Sequence, residues 1–551
     1  MKQFTINDWR RFFPFPEPRK EQEQLINFIL DAFLNQGKKY TLCDAGVGIG
    51  KSAVGVTVSN YINEYAPIQT GFTPGAYLLT TQKILQEQYL NDFGPGKGKL
   101  LSIKSSSNYQ CLHAQSQSCA ESRRVLAKMG KQLAGTDFAN TCRNHCPYAC
   151  DKKAFIDSPL SITNYSYFLA ETMYAGKLEP RELIVCDEAH NLENEFSKFI
   201  EVTFSERFAR DILKVKVPPL RDQKEVVDWV KTTYKRALTK HLDGVENAIQ
   251  SSFVSGMSSF GDLSKQYEML DKHLCKVNRF INTYDPNNWV LNVVRPMDAK
   301  KGARGLRKFE FKPIDVSPYG NDLLFKFGER VLMMSATIVD KDIMCTTLGI
   351  PDSETAYISV ESPFPIENHP IHYLSVGKMS NDEIQQTLPK MIEVLKDILE
   401  SHANDKGILH CVNFKVVNYI RDHIVDPRLL VQNDQNRDEI LRKHLSSTQP
   451  TVLVSPSMME GVDLKDDLSR FQIFCKLPYP HMGDEVVKKR MKRNPEWYPF
   501  VTARSIIQAS GRSIRNENDH AVTYVLDGCF ETFYRTNRKY FPQSFQKSLV
   551  K

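Results

Sequence analysis

Short apolar runs recur along the chain, and each is followed directly by glycine or polar residues. Residues 40–43 (Tyr-Thr-Leu-Cys) precede a glycine-rich stretch, and residues 183–186 (Leu-Ile-Val-Cys) precede two carboxylates. Two further runs, at 452–454 and 522–526, lie in the last hundred residues. Strands of a parallel sheet that is covered on both faces have this uninterrupted apolar pattern. The pattern therefore predicts an α/β fold with two parallel sheets.

A glycine-rich stretch at 44–52, Asp-Ala-Gly-Val-Gly-Ile-Gly-Lys-Ser, follows the first run and precedes a helical segment. This is the context of a phosphate-binding loop, in which glycines let backbone amides converge on an anion at a helix N-terminus. We expect Lys51 to neutralise the β- and γ-phosphates and Ser52 to coordinate Mg²⁺. Ala45 stands where the general pattern has its first glycine, and a plain glycine-rich turn is the alternative. The loop glycines expected at the nucleotide are Gly46, Gly48 and Gly50.

Two carboxylates, Asp187 and Glu188, follow the second run in the sequence Asp-Glu-Ala-His. The end of a strand is where an α/β sheet presents catalytic groups. Asp187 is expected to hold Mg²⁺, directly or through water, and Glu188 to orient and polarise the attacking water. His190 would link the site to neighbouring elements. The alternative is an acidic helix start, where carboxylates are favourable in the first turn.

Two arginines three residues apart lie in the sequence Gln-Ala-Ser-Gly-Arg-Ser-Ile-Arg at 508–515. The spacing predicts a helix with Gln508, Arg512 and Arg515 on one face. Arginine forks onto phosphate oxygens, and an arginine from an opposite lobe can neutralise transition-state charge. A solvated basic helix is the alternative. In this order, the three stretches predict a two-lobed motor that hydrolyses a nucleoside triphosphate between its lobes.

These stretches and several others in the same order resemble the superfamily 2 helicases of the XPD/DinG branch. The further matches lie at 79–82 (Leu-Thr-Thr-Gln), 335–337 (Ser-Ala-Thr), 362–364 (Ser-Pro-Phe), 407–413 (Gly-Ile-Leu-His-Cys-Val-Asn), 460–464 (Glu-Gly-Val-Asp-Leu) and 476–480 (Lys-Leu-Pro-Tyr-Pro). Together they run from about Arg19 to Asp527, so the resemblance covers almost the whole chain.

The resemblance implies roles for residues outside the first three stretches. Arg19 and Gln22 would lie on the adenine side of ATP, and Ser335 and Thr337, with His190, would couple hydrolysis to movement. The nucleotide-binding set would be completed from the second lobe by Glu460, Gly461 and Asp463.

Five of the 12 cysteines cluster between Cys111 and Cys150, and the other seven are scattered and are expected to be small buried residues. A metal or cluster site explains them better than secreted disulfides, because the chain is long and no signal peptide is recognisable. Spacing alone leaves open a zinc site, for which Cys150, His113 and His145 offer further ligands, and an iron–sulfur cluster. The resemblance implies a [4Fe–4S] cluster, with Cys150 as the spare thiol and the ligands Cys111, Cys119, Cys142 and Cys146.

The spacing of the motifs divides the chain into segments. About 150 residues separate Asp187 from Ser335, which is too many for a simple connection. We expect an α/β protein with two RecA-like parallel-sheet motor lobes, an inserted cysteine-cluster domain and a mainly helical arch-like insertion. The predicted segments are motor lobe 1 at 1–100, 161–204 and 321–340, the cluster domain at 101–160, the arch-like insertion at 205–320 and motor lobe 2 at 341–551.

Composition is that of a large globular chain. It has 551 residues, of which 41% are hydrophobic and 25% charged, and a formal net charge of +7 that leans mildly toward an anionic partner. No apolar stretch reaches transmembrane length. We therefore expect a monomer that is cytoplasmic or nucleoid-associated and makes no membrane contact.

The expected function is that of an ATP-dependent DNA helicase that moves on single-stranded DNA and unwinds forked DNA, using ATP, Mg²⁺ and the [4Fe–4S] cluster. The resemblance implies 5′→3′ movement. One alternative is a helicase-like nuclease, although no separate carboxylate-rich module fits once the lobes are placed. Another is a non-motor protein that binds single-stranded nucleic acid, although the intact motifs argue against it.

Overall fold

The computed structural model describes residues 6–112, 118–120, 122–123, 126, 131, 133–176, 178–254, 260–295, 297–298, 303–304, 306–458, 464, 466–511, 513–514 and 518–550. None of the helices in these ranges combines the length and the apolar character needed to cross a lipid bilayer.

The strands in chain order are β1 (Tyr40–Ala45), β2 (Thr73–Thr80), β3 (Leu101–Ser102), β4 (Leu160–Asn164), β5 (Arg181–Asp187), β6 (Val202–Ser205), β7 (Trp289–Val294), β8 (Met297–Asp298), β9 (Ala303–Arg304), β10 (Lys308–Pro313), β11 (Gly328–Ser335), β12 (Thr355–Val360), β13 (Ile371–Gly377), β14 (Gly407–His410), β15 (Leu429–Val431), β16 (Val452–Ser455), β17 (Phe471–Phe474), β18 (Val522–Asp527) and β19 (Leu549–Val550).

The α-helices are Lys20–Leu34, Lys51–Tyr65, Lys83–Phe93, Asp137–Asn140, Pro147–Asp157, Tyr165–Ala170, Leu192–Ile200, Glu206–Asp211, Gln223–Trp229, Lys235–Val254, Phe260–Thr283, Gly320–Leu323, Lys341–Leu348, Ile384–Ser401, Phe414–His423, Arg437–Ser446, Glu485–Arg493, Trp497–Ser510, Cys529–Thr536 and Gln543–Ser548. Single π-helical turns lie at Thr141–His145, Glu171–Ala175 and Val230–Tyr234.

Seven parallel strands form the first sheet, in the order β12-β1-β11-β5-β2-β4-β3. Both faces of this sheet are buried. In β5, for example, Ile184 and Cys186 enter one apolar core and Leu183 and Val185 enter another on the opposite face. The apolar runs at 40–43 and 183–186 are therefore strands, as predicted. Because the strands are parallel, their carboxyl ends meet at one edge, which places the sequences that follow β1, β5 and β11 side by side.

A second parallel sheet of seven strands has the order β15-β16-β14-β17-β18-β13-β19. The runs at 452–454 and 522–526 lie in β16 and β18, as predicted. The two sheets confirm the predicted α/β fold with two RecA-like lobes.

The segment between β5 and β11 contains long helices, as expected, and also a three-stranded antiparallel sheet in the order β6-β10-β7. The helix Phe260–Thr283 packs on this sheet through Phe280, whose ring contacts Trp289 and Phe311 at centroid distances of 5.0 and 4.7 Å. The insertion therefore has an aromatic core of its own.

The first lobe extends beyond the boundary that the motifs predict. Strand β12 pairs with β1 from Tyr40–Thr355 to Ala45–Val360, so the segment 341–360 belongs to the first sheet and the predicted start of lobe 2 at 341 is wrong. The prediction placed the boundary directly after the Ser-Ala-Thr sequence, and no motif lies between Thr337 and Ser362 to mark the additional edge strand.

Candidate active site

The glycine-rich stretch forms a loop between β1 and the helix Lys51–Tyr65, at the carboxyl edge of the first sheet. Gly48 and Gly50 have φ angles of 83° and 84°, in the left-handed region that favours glycine. The side chain of Lys51 turns back into the loop, where Nζ donates to the carbonyl oxygen of Ala45 at 3.1 Å. Ala45 itself is the last residue of β1 and has extended backbone, which explains why no glycine is needed there.

Both residues predicted on the adenine side contact this loop. The Arg19 guanidinium donates to the carbonyl oxygen of Gly48, and the Gln22 amide donates to that of Gly50 at 3.5 Å. The backbone N–H of Arg19 also donates to Gln22 Oε1 at 2.9 Å, which fixes the two side chains relative to each other. The helix Lys20–Leu34 thereby supports the loop from the first lobe.

The segment that joins the lobes closes over the other side of the loop. Ser362 Oγ donates to the carbonyl oxygen of Val47 at 2.8 Å, and the ring of Phe364 lies so close to Gly48 that an added Cβ would overlap it. From the second lobe, a Cβ added at Gly511 would lie 3.1 Å from Val47 Cγ2. The glycine-rich loop therefore lies at the junction of both lobes.

Asp187 ends β5 and is buried beside this loop. Its Oδ1 accepts from the backbone N–H of Glu188 at 3.0 Å, and its Oδ2 accepts from the hydroxyl of Tyr89 at 3.1 Å. Burial, and then the charge of Glu188, raise the pKa of Asp187 to about 6, whereas Lys51 acts to lower it. The Ser52 hydroxyl also interacts with Tyr89. Hydroxyl and carboxylate oxygens near a lysine fit Mg²⁺ bound to phosphate.

His190 contacts three predicted motifs with one buried ring. Nδ1 lies 2.7 Å from Ser335 Oγ and 3.3 Å from Glu188 Oε2, while Nε2 lies 2.9 Å from the side-chain nitrogen of Gln508. Ser335 Oγ in turn accepts from the backbone N–H of Thr337 at 3.0 Å. The acidic motif, the Ser-Ala-Thr sequence and the second lobe thus meet at one imidazole.

Asp44, to which no sequence motif assigns a role, organises the end of the first sheet. Its two carboxylate oxygens accept from the backbone N–H groups of Ile338 and Val339, each at 3.1 Å. Burial raises the pKa of Asp44. Val339 has a φ of 67°, so these bonds hold a strained backbone. The available signal was a carboxylate at the end of a buried strand, as for Asp187.

The predicted helix over 508–515 is wrong. The helix Trp497–Ser510 ends before Gly511, whose backbone N–H donates to the carbonyl oxygen of Ile507 at 3.1 Å. Glycine disfavours continuation of a helix and is common where one ends. Gln508 is therefore helical, whereas the described residues Gly511, Ser513 and Ile514 lie beyond the end of the helix. Five predicted site residues lie outside the described ranges: Arg512, Arg515, Glu460, Gly461 and Asp463.

Four of the five clustered cysteines are buried together. Burial and then the neighbouring thiols of Cys146 and Cys111 raise the pKa of Cys119 to about 12 and that of Cys142 to about 11. Cys150 is exposed. Across the described ranges, however, no group of three or more histidine, cysteine, aspartate or glutamate side chains is arranged to hold a metal ion. The structure therefore buries the four predicted ligands in one region.

The segment that contains the clustered cysteines, residues 101–160 (the cysteine segment), is joined to the first sheet by a buried arginine. Arg181, in β5, stacks on the ring of Tyr77 and donates to the carbonyl oxygens of Phe155 and Ile156 at 3.4 and 2.6 Å. These carbonyls lie near the end of the helix Pro147–Asp157, which begins directly after Cys146. The last predicted ligand is thus connected to the sheet by one rigid helix.

Comparisons with known proteins agree with this architecture. The family described as helicase C-terminal domain matches residues 398–548, and the DEAD_2 family matches residues 96–208. The ATP-dependent DNA helicase YoaA of Haemophilus influenzae is 22% identical over 97% of this chain and 93% of its own. The probable ATP-dependent helicase MJ0942 of Methanocaldococcus jannaschii is 20% identical over 94% of this chain and 92% of its own.

Solved structures show the same fold. An XPD helicase structure covers 96% of this chain and 98% of its own, with a TM-score of 0.62 and 17% identity. The structure of Xpd4 from S. tokodaii covers 96% and 99%, with a TM-score of 0.58 and 15% identity.

The chain has two parallel-sheet lobes that meet at a glycine-rich loop. Beside this loop lie an Asp-Glu-Ala-His sequence and a glutamine from the second lobe. This combination is typical of a superfamily 2 helicase. The matched families and the relatives of nearly equal length place the chain within that class. These findings support the similarity of the chain to XPD/DinG-like helicases that the sequence resemblance implied.

Proposed function

We propose that the protein is an ATP-dependent DNA helicase that moves along single-stranded DNA in the 5′→3′ direction and unwinds forked duplexes. The observation that carries the proposal is the contact of Gln508 with His190, and of His190 with Ser335, across the junction of the lobes. Relatives named as ATP-dependent DNA helicases support the choice of DNA.

Each residue of the site has a separate role in ATP hydrolysis. Bound Mg²⁺–ATP supplies the phosphoanhydride bond and the charge around which the lobes close. Lys51 neutralises the terminal phosphates, Ser52 and Asp187 hold the metal, and Glu188 orients the attacking water. Arg512 and Arg515 would complete the site from the second lobe.

The contacts of His190 suggest how ATP hydrolysis is coupled to movement along the DNA. A change at Glu188 alters the ring that also contacts Ser335 and Gln508, so the two lobes respond together. Each lobe would hold the DNA mainly through its phosphates, so a cycle of closing and opening moves the protein along one strand.

The decisive test compares ATP turnover with and without single-stranded DNA. Lys51→Ala should abolish turnover and spare DNA binding, because it removes the charge that neutralises the terminal phosphates and no residue expected at the DNA. Lys396→Ala, at an exposed position on the helix Ile384–Ser401, is the matched control and should behave as wild type. Turnover retained in Lys51→Ala would contradict the assignment.

Forks with only a 5′ or only a 3′ single-stranded tail test the direction of movement. Cleavage of a strand in place of unwinding would favour a nuclease.

We further propose a [4Fe–4S] cluster held by Cys111, Cys119, Cys142 and Cys146. The burial of these four thiols in one region and the exposure of Cys150 support this set. Four thiolates are the usual ligands of such a cluster. Iron and acid-labile sulfide in the purified protein are expected at about four each per chain. Zinc without sulfide would overturn the proposal.

A further inference from the structure

Tyr89 belongs to none of the motifs, yet it lies against the residues assigned to Mg²⁺. It is buried on the helix Lys83–Phe93, with 3% of its surface exposed. Its hydroxyl donates to Asp187 Oδ2 at 3.1 Å, and its oxygen also interacts with the Ser52 hydroxyl. One phenol therefore lies between the carboxylate and the hydroxyl that are expected at the metal.

The two hydrogen bonds to Asp187 have complementary geometry. Glu188 N–H binds Oδ1 and Tyr89 binds Oδ2, so each oxygen has one protein donor and the plane of the carboxylate is fixed. A carboxylate oxygen can accept two hydrogen bonds or ligands. The second position on each oxygen is left for the metal or its water, in a direction that the two donors determine.

The helix that carries Tyr89 is held firmly on its other sides. Gln86, one turn earlier, is buried and donates to the carbonyl oxygens of Ile103 and Ile162 at 2.9 and 3.4 Å. Lys83, at the helix start, donates to Asn108 Oδ1 at 3.0 Å, three residues before Cys111. The position of the phenol is thus fixed from the sheet edge and from the start of the cysteine segment.

We propose that Tyr89 is a positioning residue for the Mg²⁺–nucleotide site, which orients Asp187 and joins this site to the cysteine segment through the helix Lys83–Phe93. The inference rests on the proposed ATP-binding function and names a residue that acts through Asp187. Donors that orient a metal ligand from outside typically change metal affinity by about 10- to 100-fold when they are removed.

The test is Tyr89→Phe, which removes the hydroxyl and keeps the buried ring. We expect the Mg²⁺ concentration for half-maximal binding of a fluorescent ADP analogue to the full chain to rise about 10-fold. At saturating Mg²⁺, ATP turnover should return close to the wild-type value, because no reacting group is lost. An unchanged Mg²⁺ midpoint in Tyr89→Phe would overturn the proposal.

Tyr165→Phe is a matched control, because Tyr165 is also buried and its hydroxyl also binds Asp187, but at the backbone carbonyl oxygen, at 2.8 Å. It should leave the Mg²⁺ midpoint unchanged. An equal shift in both variants would indicate general loosening of this region and would contradict a specific role for Tyr89.

A double-mutant cycle gives a second measurement that does not depend on turnover. In an Asp187→Asn background, Tyr89→Phe should no longer shift the Mg²⁺ midpoint, because its effect passes through the carboxylate. A shift that persists would sink the proposal. Failure of the proposed function is distinguishable: wild-type protein would then bind Mg²⁺–ADP normally but neither hydrolyse ATP nor unwind DNA.

Discussion

One imidazole connects the acidic motif to the second lobe. His190 is 2% exposed, so its hydrogen bonds to Ser335 and Gln508 form away from water, where a lost partner is costly. Gln508 contributes no charge to the reaction. Its contact with His190 therefore bears on communication between the lobes rather than on phosphate neutralisation.

Gln508→Ala should uncouple DNA from hydrolysis. We expect the stimulation of ATP turnover by single-stranded DNA to fall about 10-fold, within the usual range of coupling between sites, while binding of the ADP analogue is retained. Turnover is measured with and without DNA. Gln386→Ala, at an exposed position in the same lobe, is the control. Full stimulation in Gln508→Ala would contradict the role of this contact.

At the scale of single residues, site residues that belong to motifs can be predicted from the sequence. Residues that only pack against those motifs cannot. Asp187, for example, interacts with Lys51, and His190 contacts Glu188. Asp44 and Tyr89 were missed because their roles depend on which strand or helix folds beside them. A buried carboxylate at a strand end is visible in a sequence, but its partners at Ile338 and Val339 are about 300 residues away.

Elements were predictable where their pattern was apolar and uninterrupted, as in β1, β5, β16 and β18. The helix over 508–515 was extended too far because charge spacing was given more weight than Gly511. Strand β12 was missed because only its pairing with β1 shows that it belongs to the first sheet. In both cases the local pattern was compatible with two structures, and tertiary contacts or a helix end decided between them.

The cysteine segment is the element whose stability should depend most on a bound group. Its described residues form short helices with few buried apolar side chains, so a cluster would supply much of its folding free energy. Cys142→Ser should lose iron and should lose duplex unwinding more severely than ATP turnover. Cys150→Ser, at the exposed thiol, should keep both iron and unwinding. Iron loss in Cys150→Ser would move this residue into the ligand set, and equal loss of both activities in folded Cys142→Ser would argue against a role in parting strands.

Across the whole molecule, a largely buried ion pair joins the lobes away from the nucleotide. Glu193, on the helix that follows the acidic motif, binds Arg490 at 2.5 Å and accepts from the indole N–H of Trp497 at 3.3 Å. The side chains of the pair are 11% and 14% exposed. This contact favours the arrangement of the lobes in which Glu193 and Arg490 meet.

Glu193→Gln should open the nucleotide-free protein. Loss of a hydrogen bond to a charged group typically costs about 2 kcal/mol, and here the cost falls on the arrangement in which the two lobes make this contact. The radius of gyration from small-angle X-ray scattering is expected to increase. Glu485→Gln removes an exposed pair with Lys488 on the same helix as Arg490 and should change nothing, because such pairs contribute little. An unchanged radius in Glu193→Gln would show that other contacts hold the lobes.

The buried guanidinium of Arg181 has a mechanical consequence. Since it joins the helix Pro147–Asp157 to strand β5 in the middle of the first sheet, we expect this helix and the sheet to move as one rigid body. If ATP hydrolysis moves the two lobes relative to each other, we expect a strand-separating part of the cysteine segment to move together with the first sheet rather than on a hinge of its own.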